Sequence, residues 1–308
     1  MKNFKGYIKI INYKLSIMRY VIEKINVDDV YYYGKDKYNS NNHWKSTCDT
    51  PEDYIQVLEK TETKHWIDKF HRYYTILNID KSDLAWMKDA VNISSITSKI
   101  SGVHKDEIER AIQKYEKHIG HLFKHGEKYF VRSDTVSLKE GIHGVGPYTN
   151  VKMIIESLVS CKTGHSPVEV YTEDVKLYLM KWQENLVFHK EFRVFVQNRR
   201  ITAISQQHLY TVNNILAPLS EEDREKLINE WITTINTYFE DVIKDKITVL
   251  DSYVMDIAIL DHTNEAYFIE INAFGKDYSS GSSLFHWIID DIKLMGKVKD
   301  TIFFRYAV

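Results

Sequence analysis

Between residues 253 and 272 the chain sets oxygen-bearing side chains at spacings that suit a divalent cation. Two apolar runs, 253–260 and 266–272, flank the loop Asp261-His262-Thr263-Asn264 and read as a β-hairpin. Side chains alternate along a strand, so Glu270 and Asn272 face one way and Ile269 and Ile271 the other. Pairing across 261–265 sets Asp256 opposite Glu270 on that same face. Like charges directly opposite one another destabilise a sheet, and no cation stands nearby in the sequence. A hard cation would neutralise them, and carboxylates together with phosphate oxygens are what Mg²⁺ takes. The other reading is a solvated polar face on an exposed hairpin. Met255, Ile257, Ile259, Ile269 and Ile271 make the opposite side dense enough for a half-buried sheet.

Phosphate-binding chemistry has candidates upstream. In EFRVFV, Glu191, Arg193 and Phe195 share one strand face, and Phe192, Val194 and Val196 share the other. A guanidinium binds phosphate oxygens in a fork, although on the pattern alone a cross-strand ion pair is the better reading of an Arg and a Glu two apart on a sheet. Arg132 ends a short strand, and Lys139 precedes a loop holding Gly141, Gly144 and Gly146. Glycines let a backbone approach phosphate closely, but no Gly-Lys-Ser/Thr follows, so this is not a P-loop. His118, His121 and His125 fall at helical spacing without a Cys or carboxylate partner, which reads as a solvent-facing stripe. No GxSxG or HExxH occurs, and Cys161 lacks a basic activator.

The elements that must position these groups change character near Gly126. Before it, helices are expected from Thr50, with Pro51 in the first turn and Asp53 closing a capping box, and over 104–124, where Ile108, Ile112, Tyr115, Ile119 and Leu122 share a face. Residues 31–48 read as a loop, and Tyr7, Ile8 and Ile10 as part of a strand. After Gly126 come strands at 129–131, 177–182, 191–197 and 201–206. A helix capped by Ser220 follows, with Leu227, Trp231, Ile235 and Phe239 as its buried stripe, and then the hairpin. Hairpins around one long helix give an α+β fold, a mostly helical region over 1–125 and a core over 126–308. With 44% hydrophobic residues in 308, a sizeable core is available. The 41 basic and 43 acidic residues leave a formal charge of −2, which gives no field for coating nucleic acid. No apolar run reaches the ~20 residues that span a bilayer. Two cysteines, Cys48 and Cys161, exclude a disulfide framework and favour a reducing compartment such as the cytoplasm.

Taken in order, FVRSDTVSLKEG (130–141), LYLMKW (177–182), EFRVFV (191–196), ITAISQ (201–206), VMDIAI (254–259), FIEINAFG (268–275) and SSLFHW (282–287) resemble the cell division cycle protein 123 family, a divergent branch of the ATP-grasp superfamily. The likeness runs from Gly126 to Trp287. It implies ATP held between two antiparallel sheet layers. Arg132 and Lys139 would stand at the phosphates, with Arg193 and Glu191 facing them. Met180, Lys181 and Trp182 would form the adenine hinge, Gln206 and Ser282 would lie among the cofactor contacts, and Asp256, Glu270 and Asn272 would hold Mg²⁺. The family has Lys at position 132, Asp at 270, Pro at 273 and often Arg at 207, where this chain has Arg, Glu, Ala and Gln. The resemblance further implies an ATP-dependent factor that assembles translation initiation factor 2 through its gamma subunit. An ATP-grasp ligase that activates a carboxylate as an acyl phosphate, and a scaffold that kept only the fold, are the alternatives.

Overall fold

The computed structural model describes residues 18–40, 50–169, 172–278 and 280–308. The expected strand around Tyr7, Ile8 and Ile10, residues 41–48 of the expected loop, and Cys48 lie outside them.

Two sheets carry the molecule. Strands β1 (Arg19–Ile25), β5 (Glu191–Gln197), β6 (Arg200–Gln206), β7 (Tyr253–Ile259), β8 (Ala266–Ala273) and β9 (Thr301–Ala307) form one, in the order β1-β9-β6-β5-β7-β8. Strands β2 (Tyr74–Ile79), β3 (Tyr129–Arg132) and β4 (Val175–Lys181) form the other, in the order β2-β4-β3. The turn between β5 and β6 places Asn198 and Arg199 at φ 48° and 58°, the left-handed backbone that a tight hairpin needs.

The smaller sheet is antiparallel throughout, as expected. The larger is mixed, because β9 lies parallel to both β1 and β6, and this corrects the expectation of purely antiparallel layers. Parallel neighbours are joined by long crossovers, so nothing local in the sequence announces them.

The helices are α1 (Val27–Tyr33), α2 (Tyr54–Thr61), α3 (Ile67–Phe70), α4 (Lys81–Thr97), α5 (Lys105–Ile119), α6 (Val151–Leu158) and α7 (Glu221–Tyr238), with shorter turns between. Ser220 caps α7 by accepting from the Asp223 N–H at 3.1 Å, a contact worth about 1 kcal/mol. Its buried stripe is Ile228, Trp231, Ile232 and Ile235, continued by Phe239, so Leu227 sits at the margin. These side chains cover one face of the large sheet through Phe192, Val194, Met255, Ile257 and Phe304. α5 ends at Ile119 and tightens into a 3₁₀ turn at Gly120–Phe123, close to the expected 104–124. α2 starts later than expected: 51–53 form a turn in which the Tyr54 N–H donates to the Pro51 carbonyl at 3.0 Å. Residues 31–33 are helical rather than loop.

The change in sequence texture at Gly126 does not coincide with a gap in packing. Leu77, Met87 and Tyr115 share one core with Val131, Ile154 and Leu177, and β1 belongs to the large sheet. The glycine loop closes on α6: a Cβ on Gly141 would lie 2.6 Å from the Ser157 carbonyl oxygen, so close helix contact explains that glycine. Among the described residues no helix is long and apolar enough to cross a membrane.

Candidate functional site

Strand register lines up one polar row across the large sheet. Glu23 pairs with Arg305, Arg305 with Ser205, Ser205 with Arg193, Arg193 with Asp256, and Asp256 with Glu270. Directly opposed residues share a face, so all six side chains leave on the side away from α7. The Asp256–Glu270 pairing read from the hairpin is present. A bulge between Asp256 and Ile257 then shifts the alternation of β8, so that Phe268 takes the core place expected for Ile269.

The two carboxylates are neutralised by arginines. Arg193 forks onto Asp256, with Nε donating to Oδ1 at 2.9 Å and Nη2 to Oδ2 at 2.8 Å, and its Nη1 donates to the Gly281 carbonyl at 2.9 Å. Arg132 arrives from the small sheet and donates to Glu270 Oε2 at 2.8 Å, with its guanidinium 4.8 Å from the centre of the Trp66 ring. The like charges that called for a cation therefore have two, one from the neighbouring strand and one from the other sheet.

Burial raises the Asp256 carboxyl to about 6, against the pull of Arg193. Burial works the same way on Glu270, but Arg132, Lys139 and Arg193 together outweigh it and hold Glu270 well below the usual carboxylate range. The two carboxyls shift in opposite directions because Glu270 has more cations around it.

Several of the expected residues converge. Arg132, Arg193, Asp256 and Glu270 are in contact, and Asn272 Nδ2 reaches Glu270 Oε1 at 3.4 Å. Glu191 lies two residues before Arg193 on the same face, with His208 Nε2 3.3 Å from its Oε2. Lys139 is exposed on a short turn and adds to the positive field at Glu270.

Others are engaged elsewhere. Gln206 is fully buried, donates to the His208 and Thr211 carbonyls at 2.7 and 2.6 Å, and accepts from the Ala307 N–H at 3.2 Å. Ser282 donates to the Phe285 carbonyl at 2.7 Å and is sealed from solvent. Met180 sits in the core with Tyr178 and Trp66, in the middle strand of its sheet. Lys181 pairs with Glu127 at 3.1 Å, and the Trp182 N–H donates to the Lys128 carbonyl. Gln206→Leu is accordingly expected to lower stability by about 1–3 kcal/mol for each buried group left unpaired. Nucleotide affinity of the folded fraction should stay unchanged; a selective loss of affinity at full stability would reverse that assignment.

Trp66, Thr63, His71 and Gly281 carried no signal in the sequence. Thr63 donates to the Ser133 carbonyl at 2.7 Å and so fixes the loop that follows Arg132. His71 meets the Tyr267 hydroxyl at 3.2 Å, and burial, then Arg132, lowers it to about 4, so it is neutral at pH 7. A Cβ on Gly281 would fall 2.5 Å from Asn39 Oδ1, which is why the backbone can come close enough to cap Arg193.

As a donor set, Asp256, Glu270 and the Asn272 amide suit Mg²⁺ by chemistry. The fit depends on Arg193, whose fork now takes both Asp256 oxygens. Among the described residues no group of three or more His, Cys, Asp or Glu side chains is set to hold a metal by protein ligands alone.

The model of a family described as D123 matches residues 152–305, half of the chain. A curated translation initiation factor eIF2 assembly protein of Candida albicans is 37% identical over 122 residues, which cover 37% of this chain and 30% of that protein. The chain thus spans under a third of the length of that curated relative. The structure of Cdc123 from Schizosaccharomyces pombe superposes with a TM-score of 0.52 at 19% identity, over 81% of this chain and 97% of that one. Its C-terminally truncated form gives 0.53 with the same identity and coverage. At that identity the likeness is one of fold.

Proposed function

Since this chain belongs to the D123 family, the group of cell division cycle protein 123, we propose that it is an ATP-binding assembly factor acting on translation initiation factor 2 in the cytoplasm. The observation that carries the reading is the meeting of Arg132, Arg193, Asp256 and Glu270 from both sheets in one cluster, with Arg132 and Asp256 buried and Glu270 open to water on one side. In this reading Asp256, Glu270 and Asn272 hold Mg²⁺. Arg132, Lys139 and Arg193 take the phosphate oxygens, and Glu191 lies at the margin. When bound, the metal would screen the charge of the phosphates. The meeting of two sheets and the motif resemblance support a nucleotide between the sheets, and the assembly-protein relative supports the initiation factor as partner. In this reading the docking target is the factor's gamma subunit.

The test presents the purified chain with the separate subunits of the initiation factor, with and without MgATP, and measures nucleotide affinity by calorimetry in parallel. Retention of the gamma subunit, strengthened by MgATP without release of ADP, is the expected result. ADP release that depends on an added small-molecule acceptor, with no subunit retained, would move the assignment to a ligase. No heat with MgATP would end the nucleotide reading.

A further inference from the structure

The Arg193–Asp256 contact is more than a neutral pair on a sheet. Asp256 is 2% exposed and both its oxygens accept from one guanidinium, in the geometry that gives a carboxylate its strongest single partner. The remaining Arg193 donor in contact, Nη1, goes to the Gly281 carbonyl, so the side chain is held at three points. Gly281 is in turn fixed by Asn39, whose N–H donates to the Ser283 and Phe285 carbonyls and whose Oδ1 accepts from the Ser283 N–H at 3.1 Å. Gln207 Nε2 approaches Asp256 Oδ2 at 3.4 Å, so the oxygen facing that side chain is also partly engaged.

A dication on Asp256 would sit within a few ångströms of the guanidinium. Like charges a few ångströms apart repel far more strongly inside a protein than in water, and a doubly charged ion doubles that repulsion. Cation and guanidinium therefore cannot both lie on this carboxylate at a comparable free energy. A triphosphate changes the balance, because its oxygens offer Arg193 a second bidentate partner of higher charge.

Resting on the nucleotide reading above, we infer that Arg193 is a built-in competitor for the metal: it occupies Asp256 until phosphate oxygens draw it away, so that the divalent cation enters only with the nucleotide and not before it. Metal and triphosphate are then coupled ligands, each raising the affinity for the other by the same factor. The chain is protected from filling its site with a free cation, and the loop at 281–285 is released from Arg193 in the same event.

Mn²⁺ alone, followed by its paramagnetic resonance signal and by thermal melting, tests this on the full chain. The unchanged protein should show no saturable Mn²⁺ binding and no shift in Tm at concentrations where Arg193→Gln binds the ion and gains stability. Affinity should differ between the two by at least about tenfold, within the ~5–150-fold usual for coupled sites. Asp256→Asn/Arg193→Gln, which removes both charges, should lose that gain and so locate the ion. If the unchanged protein binds Mn²⁺ as tightly as Arg193→Gln does, the competition is refuted. Should Arg193→Gln fold poorly, that comparison passes to Arg193→Lys, whose single ammonium cannot fork onto both oxygens and should admit the ion more readily than Arg. ATP titrations separate the two ideas: absence of any ATP binding removes the nucleotide reading, while the metal-only arm still decides whether Arg193 excludes a cation.

Discussion

Asp256→Ala is expected to destabilise the fold by about 3–5 kcal/mol, because it strands a guanidinium inside the sheet rather than emptying a solvated site. Arg193 is 13% exposed at its side chain, and after the substitution its one remaining hydrogen bond among the described residues goes to the Gly281 carbonyl. Set against a total stability of roughly 5–15 kcal/mol, that loss brings the chain close to unfolding at moderate temperature. Asp256→Ala/Arg193→Met, which removes both charges, should recover most of it, since a well-packed apolar pair is often as stable as a buried ion pair. Urea unfolding checks this: the midpoint should fall for the single variant and return for the double, at constant m. A single variant within about 0.5 kcal/mol of the parent would mean that the pair is solvated in practice, as ordinary surface positions are. Loss of nucleotide affinity in Asp256→Ala is thus informative only when measured on the folded fraction.

Arg132→Ala is expected to weaken ATP by roughly 10–150-fold, the equivalent of the ~1.5–3 kcal/mol carried by a hydrogen bond to a charged group. Adenosine should bind as before. Arg132 is 3% exposed, braced by Trp66 and Glu270, and sits at the end of β3 where the two sheets meet. Glu270 keeps 24% of its exposure, so water screens it once Arg132 is gone and the fold loses less than in the Asp256 case. Arg132→Lys should recover part of the affinity, since an ammonium supplies the charge without the fork. Equal losses for ATP and adenosine by calorimetry would assign Arg132 to the architecture instead of to phosphate.

The parts of this site that were legible in the sequence are those governed by short-range periodicity. Alternation placed Glu270 and Asn272 together, and pairing across 261–265 set Asp256 against Glu270, a match that the structure reaches through its bulge. The same logic separated Glu191 and Arg193 from Phe192 and Val194. The bulge escaped it, because an extra residue leaves no mark in composition, and it moved Phe268 into the core. A cross-strand ion pair was legible for Arg193, whose partner is Asp256; Arg132 was out of view as a partner because it lies 138 positions from Glu270. Gln206 and Ser282 sit within motifs that carry the resemblance, yet backbone groups take up their hydrogen bonds. A polar residue inside a motif does not by itself distinguish a staple from a ligand contact. β2 and α4 went unread for a simpler reason: Tyr74–Ile79 and Lys81–Thr97 show weak periodicity and earn their order from the shared core with Leu177 and Ile154.

The place of β9 has a consequence for how the molecule is made. Among the described strands β1 pairs with β9 alone, and β6 has β9 on one flank. On a translating ribosome the earliest of the described strands therefore lacks its described partner until residues 301–307 leave the exit tunnel. A nascent chain stalled or cut at Asp300 would present two open strand edges at once, an invitation to join a stranger.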